Sequence, residues 1–370
     1  MKRTFSQEEL RSVVDRFQVY GDVRSIEPYG SGHINDTFRV TVDLAGNTVH
    51  YILQRINSEI FTDPAGLMQN ITRVTRHLRE KLAAQHSPEP SRRTLTLVQT
   101  HDGTDMLHEG ANWWRVYLFI EKAKTYDVIS SPESAFAAAQ AFASFQNQLS
   151  DLPGARLNET IPAFHNIESR LALLDAAFAK DAAGRAGEVA AEMAFVQTRR
   201  EEASRLLRLC AEGSIPERIT HNDTKINNVM FDDTTNEGIC VIDLDTVMPG
   251  LALYDFGDMV RTATAAAAED ETDLAKVESR FDLFEALVRG YCSRAAFLTQ
   301  AEKDNLAFSG RLITFTIGVR FLTDYLAGDV YFKTHRPGHN LDRARNQFKM
   351  VESQEKQAER REALVREITA

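Results

Sequence analysis

The sequence changes character near residue 121, and this change constrains the fold more than any other feature. Before it, runs rich in β-branched and aromatic residues predict strands, beginning with a hairpin at 37–56. After it, Ala, Leu and Phe recur at helical spacing, interrupted by one strand-rich segment at 219–244. We therefore predict an α+β protein of two lobes, with a small antiparallel-sheet lobe over residues 1–122 and a larger, mainly helical lobe over 123–370.

The charge balance and the cysteine content exclude several classes of protein. The 43 Lys and Arg residues against 53 Asp and Glu give a net charge of −10 at pH 7, which disfavours a nucleic-acid-binding surface. Cys210, Cys240 and Cys292 are far apart and belong to no Cys/His cluster, so they predict reduced thiols rather than a zinc site. Because no long apolar run occurs, we expect no secretion signal, no membrane span and a cytoplasmic location.

The strand-rich segment contains two short strands, 228–232 and 239–243, on either side of a polar six-residue turn. If they form a hairpin with Asp232 opposite Ile239, then Asn228 lies opposite Asp243. Asp223 is only five residues upstream of Asn228. This register predicts that Asp223, Asn228 and Asp243 converge at the open end of the hairpin.

An amide and two carboxylates placed in this way suit phosphoryl transfer. Their hard oxygens are ligands for Mg²⁺, so we expect Asn228 and Asp243 to hold this metal on the β- and γ-phosphates of a nucleotide. Asp223 can accept a hydrogen bond from an attacking hydroxyl, and Lys225 adds a mobile cation for the transferred group. A solvated turn is the alternative interpretation, but the strand end, the hairpin and the second acidic motif favour catalysis. We expect His221 to hold the loop rather than to act as a base.

A second candidate segment, YGSGHINDT, precedes the first strand of the small lobe. Gly30, Ser31 and Gly32 can bring backbone N–H groups close to phosphate oxygens. A GxG sequence before a strand is more often an ordinary turn, and here its position ahead of a hairpin favours nucleotide binding. The segment is not a Walker A loop, since GxxxxGK[ST] is absent.

These motifs resemble those of a known family. HNDTKINN has the HxDxKxxN form of the protein-kinase catalytic loop, and IDLD stands where kinases and the aminoglycoside and choline phosphotransferases carry a metal-binding aspartate. The wider runs THNDTKINNVMFD, CVIDLDTVMPGLALYDFGD and RFLTDYLAGDVYFK are similar to the N-acetylhexosamine 1-kinases in particular. The resemblance spans most of the chain. It implies a two-lobed protein-kinase-like fold, ATP and Mg²⁺ as cofactors, and phosphorylation of the anomeric hydroxyl of N-acetylglucosamine or N-acetylgalactosamine.

The resemblance also assigns roles to individual residues. Asp223 matches the catalytic carboxylate, Lys225 the phosphate-contacting lysine, and Asn228 and Asp243 the metal ligands. The lobe over 1–122 then binds the nucleotide, and the lobe over 123–370 carries the catalytic and acceptor-binding groups. Two further acidic residues are expected nearby, with Asp245 as a second metal or water ligand and Asp255 tying the loop through its backbone.

The sequence departs from the kinase pattern at one position. The second hairpin strand should carry a lysine for the α- and β-phosphates, but it reads YILQRIN, with Gln54 at the lysine position and Arg55 beside it. Since successive side chains in a strand alternate faces, only one of the two can point into a cleft. Arg55 is our candidate cofactor-binding cation, provided that a bulge turns it inward.

An uncharged sugar has to be held by polar groups and an aromatic wall. The candidate substrate-binding residues, besides Asp223, are His33 in the glycine segment and Arg320 with Tyr331 near the carboxyl terminus. Pairing of Arg320 with Asp324 at i+4 and burial of Tyr331 in the core are the alternative interpretations. Competing functions are a kinase for choline, homoserine or an aminoglycoside, a regulatory module that binds nucleotide without turnover, and a purely structural protein.

Overall fold

The computed structural model describes residues 5–30, 32, 34–129 and 131–370. They form two compact units. The sheet unit comprises Met1–Lys124, Asp151–Pro162 and Met230–Met248, and the remaining residues form the helical unit. The first break follows Lys124 and two later segments return to the sheet unit, so the units do not divide the chain at one boundary as the prediction at residue 122 assumed.

The described residues contain eleven strands. In chain order they are β1 Asp22–Pro28, β2 Asp36–Leu44, β3 Asn47–Ile56, β4 Leu97–Val98, β5 Leu107–Glu109, β6 Asn112–Leu118, β7 Ala123–Lys124, β8 Arg218–Thr220, β9 Val229–Asp232, β10 Gly238–Val241 and β11 Met248–Gly250. β1, β2, β3, β6 and β4 lie in this order in one antiparallel sheet, with β5 added against β6. β10, β9 and β7 form a second sheet, and β8 pairs with β11.

Three helices belong to the sheet unit: α1 Gln7–Val14, α2 Pro64–Ala84 and α3 Pro90–Arg93. α1 begins at a capping box, in which the Glu9 amide donates to Ser6 Oγ and the Ser6 amide donates to Glu9 Oε2. Its apolar face packs on the large sheet, where alternate inward side chains of the strands complete one core. This core positions the loop ends of β2, β3 and β6.

Ten helices form most of the helical unit. They are α4 Pro132–Leu149, α5 Ile167–Lys180, α6 Ala190–Ala203, α7 Arg205–Ala211, α8 Ala252–Ala263, α9 Phe281–Cys292, α10 Gln300–Asp304, α11 Leu306–Ala327, α12 His339–Lys356 and α13 Ala358–Thr369. The antiparallel sheets and this helical majority confirm the predicted α+β class. α8 packs so closely on α11 that a Cβ added at Gly257 would lie 2.4 Å from the Ser309 carbonyl oxygen. This close approach explains the glycine in the YDFGD sequence of α8.

α11 is the central helix of this unit. By length and composition it is the one helix in the described part of the chain that could cross a membrane, but 89% of its most apolar window is buried inside the protein. Such burial on all sides is typical of a core helix.

Candidate active site

The loop after β8 carries the predicted catalytic residues. Asn222 has a left-handed backbone with φ of 66°, a conformation that asparagine adopts more readily than most residues. A 3₁₀ turn, Ile226–Asn228, then leads into β9. Asp223 therefore lies between a left-handed residue and a tight turn, and its position depends on what holds this backbone.

Two carboxylates of α8 hold the loop. Asp255, fully buried, accepts hydrogen bonds from the amides of His221 at 2.8 Å and Asn222 at 2.7 Å. Asp258 accepts from the Thr224 amide at 3.0 Å, and the Thr224 hydroxyl donates to the Asp255 carbonyl at 2.6 Å. The predicted backbone-tying role of Asp255 is confirmed.

His221 is fully buried and packs edge-on against two phenylalanine rings of α4, with centroid distances of 5.4 Å to Phe142 and 5.9 Å to Phe145. Its Nδ1 accepts a hydrogen bond from the Asp223 amide at 3.3 Å. These contacts confirm that His221 supports the loop.

The structure brings Asp223, Lys225 and Asn228 together. Lys225 Nζ lies 2.8 Å from Asp223 Oδ1, and the Asn228 side-chain amide donates to Asp223 Oδ2 at 3.1 Å and to the Asp223 carbonyl at 2.8 Å. Burial would raise the pKa of Asp223, but the charge and hydrogen bond of Lys225 outweigh burial and lower it. In turn, the charge of Asp223 raises the pKa of Lys225. At neutral pH Asp223 is thus a carboxylate that can accept a hydrogen bond from a hydroxyl.

The hairpin of β9 and β10 forms, but not in the predicted register. The Asp232 amide donates to the carbonyl of Glu237, whereas the predicted register placed Asp232 opposite Ile239. Asn228 lies in the 3₁₀ turn and Asp243 lies beyond β10, so neither belongs to the paired strands. The register argument that placed them opposite each other is therefore wrong, because both strands are shorter than their sequence pattern suggested. Asp243 belongs to the sheet unit, and Asn228 to the helical unit.

Asp243 is a second left-handed backbone position, and Asp245 lies two residues after it. Asp243 has a φ of 59°, and a 3₁₀ turn, Leu244–Thr246, follows it. Asp245 is only 2% exposed: Asn35 donates to its Oδ2 at 2.6 Å, and its Oδ1 lies 2.5 Å from Nη1 of Arg115. The carboxylate is thus held in a buried ion pair, and its role as a second metal or water ligand stays a prediction.

The structure also shows where Gln54 and Arg55 point. Arg55 pairs with Asp36 through its Nε at 2.8 Å, and no bulge interrupts the pairing of β3 with β2 or β6 at this position. The condition for Arg55 as a cofactor-binding cation is thus not met. Gln54 Oε1 accepts a hydrogen bond at 3.0 Å from Nε of Arg115, the opposite residue on β6. Arg115 was not among the predicted residues, although a single charge inside the apolar run WWRVYLFI is a signal of a buried ion pair.

Of the glycine segment, Gly30 and Gly32 are described, whereas Ser31 and His33 lie outside the described residues. Gly30 has a φ of 78°. Apart from adjacent residues in the chain, no atom of the described residues lies within 4 Å of a Cβ built at Gly30 or Gly32, so none of these described atoms obstructs the approach of a ligand to the two backbones. The phosphate-binding role of Gly30, Ser31 and Gly32, and the substrate-binding role of His33, stay predictions.

Arg320 and Tyr331 lie together, in the helical unit. The Arg320 Nη2 donates to the Tyr331 hydroxyl at 3.4 Å, and its guanidinium lies 4.8 Å from the ring centroid of Phe164 and 5.4 Å from that of Phe332. The alternative pairing with Asp324 does not occur: that carboxylate, 4% exposed, accepts from three backbone amides of the turn after α11.

Tyr331 is 57% exposed, so its burial in the core is also wrong. Arg170 lies close enough to Arg320 that their charges repel, and burial together with this repulsion lowers the pKa of Arg170 to about 10. Among the described residues neither arginine has a carboxylate partner. Arg170 instead donates through Nε and Nη2 to the Phe164 carbonyl, so both arginines bring positive charge to the surroundings of Phe164.

The oxygen donors of the site fit a hard cation. Because the Asn228 side-chain nitrogen donates to Asp223, its Oδ1 is left as the acceptor atom. Asp243, in the sheet unit, carries a carboxylate, which is also a hard oxygen donor. Within the described ranges no cluster of three or more His, Cys, Asp or Glu residues is placed to hold a metal ion.

Burial of His165 predicts that the free energy of unfolding depends on pH. It is 5% exposed, and its Nε2 donates to the Asn222 carbonyl at 3.1 Å. Burial lowers its pKa to about 4, below the unfolded value, so the stabilisation is present above about pH 6.5 and is lost as the pH falls towards 4. We expect the free energy of unfolding, measured in urea, to fall by about 2 kcal/mol between pH 7 and pH 5 through this group.

A His165→Gln variant, which keeps a donor for the Asn222 carbonyl, should lack this loss. The exposed His101→Gln variant should retain it. Identical pH profiles for wild type and His165→Gln would contradict the assignment.

An antiparallel-sheet unit and a mainly helical unit, with an aspartate, a lysine and an asparagine brought together on one loop, are the features expected of a kinase-like phosphotransferase. The chain belongs to the phosphotransferase enzyme family (APH), whose sequence profile matches residues 25–290.

Solved structures agree with this fold. A microcompartment-associated aminopropanol kinase is 17% identical, with a TM-score of 0.61 and coverage of 95% of this chain and 97% of the other. A spectinomycin phosphotransferase in complex with ADP and spectinomycin is 12% identical, with a TM-score of 0.56 and coverage of 96% and 99%. The choline kinase from Cryptosporidium parvum Iowa II is 14% identical, with a TM-score of 0.52 and coverage of 90% and 89%. At these identities the likeness is one of fold, and it confirms the predicted protein-kinase-like fold.

Proposed function

We propose that this phosphotransferase is an ATP- and Mg²⁺-dependent kinase that phosphorylates the anomeric hydroxyl of N-acetylhexosamines, giving a sugar 1-phosphate and ADP. The observation that carries the kinase activity is the ionised Asp223 held by Lys225 and Asn228. In this proposal Asp223 orients the hydroxyl and takes its proton as the oxygen attacks the γ-phosphorus. The Lys225 ammonium then leaves its ion pair with Asp223 and stabilises the negative charge that develops on the transferred phosphoryl group.

The nucleotide assignment rests on several supports. The spectinomycin phosphotransferase of the same fold was solved with ADP, and the open backbones at Gly30 and Gly32 suit phosphate oxygens. When bound, Mg²⁺ would neutralise charge on the β- and γ-phosphates. The resemblance gives Asn228 and Asp243 as its ligands, and their oxygens are of the type that Mg²⁺ prefers.

The acceptor assignment rests on charge in the helical unit. Choline, aminoglycosides and amino alcohols are cations, and proteins bind such groups with carboxylates or open aromatic faces. Here the guanidinium of Arg320 already lies against Phe164, Tyr331 and Phe332, and Arg170 adds a second positive charge. This arrangement disfavours a cationic acceptor. It suits a neutral sugar whose hydroxyl or acetamido oxygens can accept hydrogen bonds from arginine.

A kinase for another alcohol remains the nearest alternative, and a nucleotide-binding regulatory module is the second. ADP release with Mg-ATP against a panel of N-acetylglucosamine, N-acetylgalactosamine, choline, homoserine and kanamycin separates them. We expect release with the N-acetylhexosamines alone. Release with a different acceptor alone would overturn the substrate class, and nucleotide binding without release would favour the regulatory module.

Replacing Arg320 by methionine should impair acceptor binding. Because the guanidinium contacts Tyr331 and faces the aromatic cluster, we expect the KM for the sugar to rise about tenfold or more, while the KM for ATP stays within about twofold. The matched control is Arg311→Met on the same helix, whose side chain pairs with Glu202 instead. Steady-state kinetics that show equal KM values for Arg320→Met and wild type would contradict a role in acceptor binding.

A further inference from the structure

At the position on β3 where kinases carry a lysine, the described residues present no unpaired cation. Gln54 occupies that position, and the neighbouring Arg55 is committed to Asp36, with the two side chains only 16% and 8% exposed. The guanidinium of Arg55 also lies 5.5 Å from the ring of Phe5. Neither Gln54 nor Arg55 can therefore take the role that the strand lysine has in kinases.

A row of side chains crosses the sheet at this position. Thr37 on β2 is opposite Gln54 on β3, and Gln54 is opposite Arg115 on β6. Residues paired across antiparallel strands project from the same face. Gln54 donates to the Thr37 hydroxyl at 3.0 Å and accepts from Arg115 Nε at 3.0 Å. Through these two hydrogen bonds Gln54 orients the Arg115 side chain.

The far end of Arg115 meets the segment that contains the predicted metal ligand. Its Nη1 lies 2.5 Å from Oδ1 of Asp245, two residues after Asp243, and the two paired side chains are 1% and 3% exposed. Burial opposes the charged form of Arg115, but Asp245 and Asp243 are close enough to raise its pKa overall. A fully buried ion pair of this kind is costly to break, because the remaining charge cannot reach water.

The same ion pair is linked to the end of the glycine segment. Asn35 donates to Asp245 Oδ2 at 2.6 Å, and Asn35 Oδ1 accepts from the Asn57 amide at the end of β3 at 3.0 Å. One hydrogen-bonded network, buried at the Arg115–Asp245 pair, therefore connects Asn35 after the glycine segment, the end of β3, the middle of β6 and the Asp243–Asp245 turn. All of these residues belong to the sheet unit.

We propose that Arg115 is a positioning residue for phosphoryl transfer: oriented by Gln54 on the neighbouring strand, it fixes the left-handed Asp243 through its buried ion pair with Asp245. The inference rests on the proposed function, since it gives Arg115 its role through the predicted metal ligand. Arg115 itself is too buried to contact a nucleotide. It acts only by holding the carboxylate segment in place.

The test is calorimetric binding of ADP, with and without Mg²⁺, to wild type and to Arg115→Lys. Lysine keeps the positive charge but cannot bind Gln54 and Asp245 at once. We expect the dissociation constant for ADP with Mg²⁺ to rise by about 10- to 100-fold, as for other residues that orient metal ligands. Without Mg²⁺ the constant should change by less than about threefold, because Arg115 does not touch the nucleotide.

Equal weakening with and without Mg²⁺ would show that the pair only supports the fold, and unchanged binding in both would show that it has no role; either result overturns the proposal. Arg24→Lys, which alters an exposed pair with Asp43, is the control and should match wild type. If Arg115→Lys does not fold, Gln54→Leu tests whether Gln54 orients Arg115. We expect the same weakening of ADP binding, seen only with Mg²⁺. If the wild type binds ADP and catalyses turnover, and the variants behave identically to it, the role of Arg115 is refuted but the proposed function is not. Wild type without Mg²⁺-enhanced binding refutes the proposed function as well.

Discussion

Replacing Asp223 by asparagine is expected to lower kcat by about a thousandfold while leaving the melting temperature nearly unchanged. Because His221 is fully buried, the partly exposed carboxylate is the group of this loop that can accept the proton of an attacking hydroxyl. Positioned acid–base groups contribute roughly 10² to 10⁴ in rate. Asparagine keeps the shape and can still accept a hydrogen bond from Lys225. ADP release at saturating substrates measures the effect.

The matched control for this substitution is Asp233→Asn in the exposed turn between β9 and β10, which should keep wild-type turnover. The KM for ATP of the Asp223 variant should stay within about threefold of wild type, since the carboxylate acts on the acceptor side. A variant that retained more than about a tenth of the wild-type kcat would remove Asp223 from the catalytic role.

Replacing Asp255 by alanine should cause the largest loss of stability. Its fully buried carboxylate accepts from the amides of His221 and Asn222 and from Gln146 Nε2 at 2.5 Å. Alanine would leave three buried donors without an acceptor, each at a cost of about 1–3 kcal/mol. We expect the free energy of unfolding in urea at pH 7.5 to fall by about 3–5 kcal/mol, with loss of activity because the loop of Asp223 is released.

The control is Asp282→Ala, which breaks an exposed pair with Arg280 in the same unit and should change the free energy of unfolding by less than about 1 kcal/mol. At pH 7.5 Asp255 is ionised, since burial raises its pKa only to about 6. An Asp255→Ala protein within about 1 kcal/mol of wild type would mean that other contacts hold the loop.

Local pattern was sufficient to predict the fold class and the proximity of Asp223, Lys225 and Asn228. Helical spacing and β-branched runs describe single elements, and the functional groups of Asp223, Lys225 and Asn228 lie within six residues of each other. Their proximity therefore depends on one loop rather than on packing between distant segments. The backbone-tying role of Asp255 could be predicted for a similar reason, because buried carboxylates need nearby donors.

Interactions between distant segments were harder to predict. Asp324 was the natural i+4 partner of Arg320, but the backbone amides of the turn after α11 bind that carboxylate and leave the arginine to the aromatic rings. The same reason explains why Arg115 was missed. Its partners Gln54 and Asp245 are 61 and 130 positions away, and no local periodicity links them. The register of the β9–β10 hairpin failed because turn hydrogen bonds, which the alternating pattern does not encode, set the strand ends.

The phosphorus NMR spectrum of the product formed from N-acetylglucosamine or N-acetylgalactosamine with Mg-ATP tests the central claim most directly. The proposed function predicts one new phosphate resonance coupled to the anomeric proton, which disappears on mild acid treatment and is absent when Asp223→Asn replaces wild type. A phosphate on any other hydroxyl, or free phosphate as the only product, would contradict the claim that this enzyme is an N-acetylhexosamine 1-kinase.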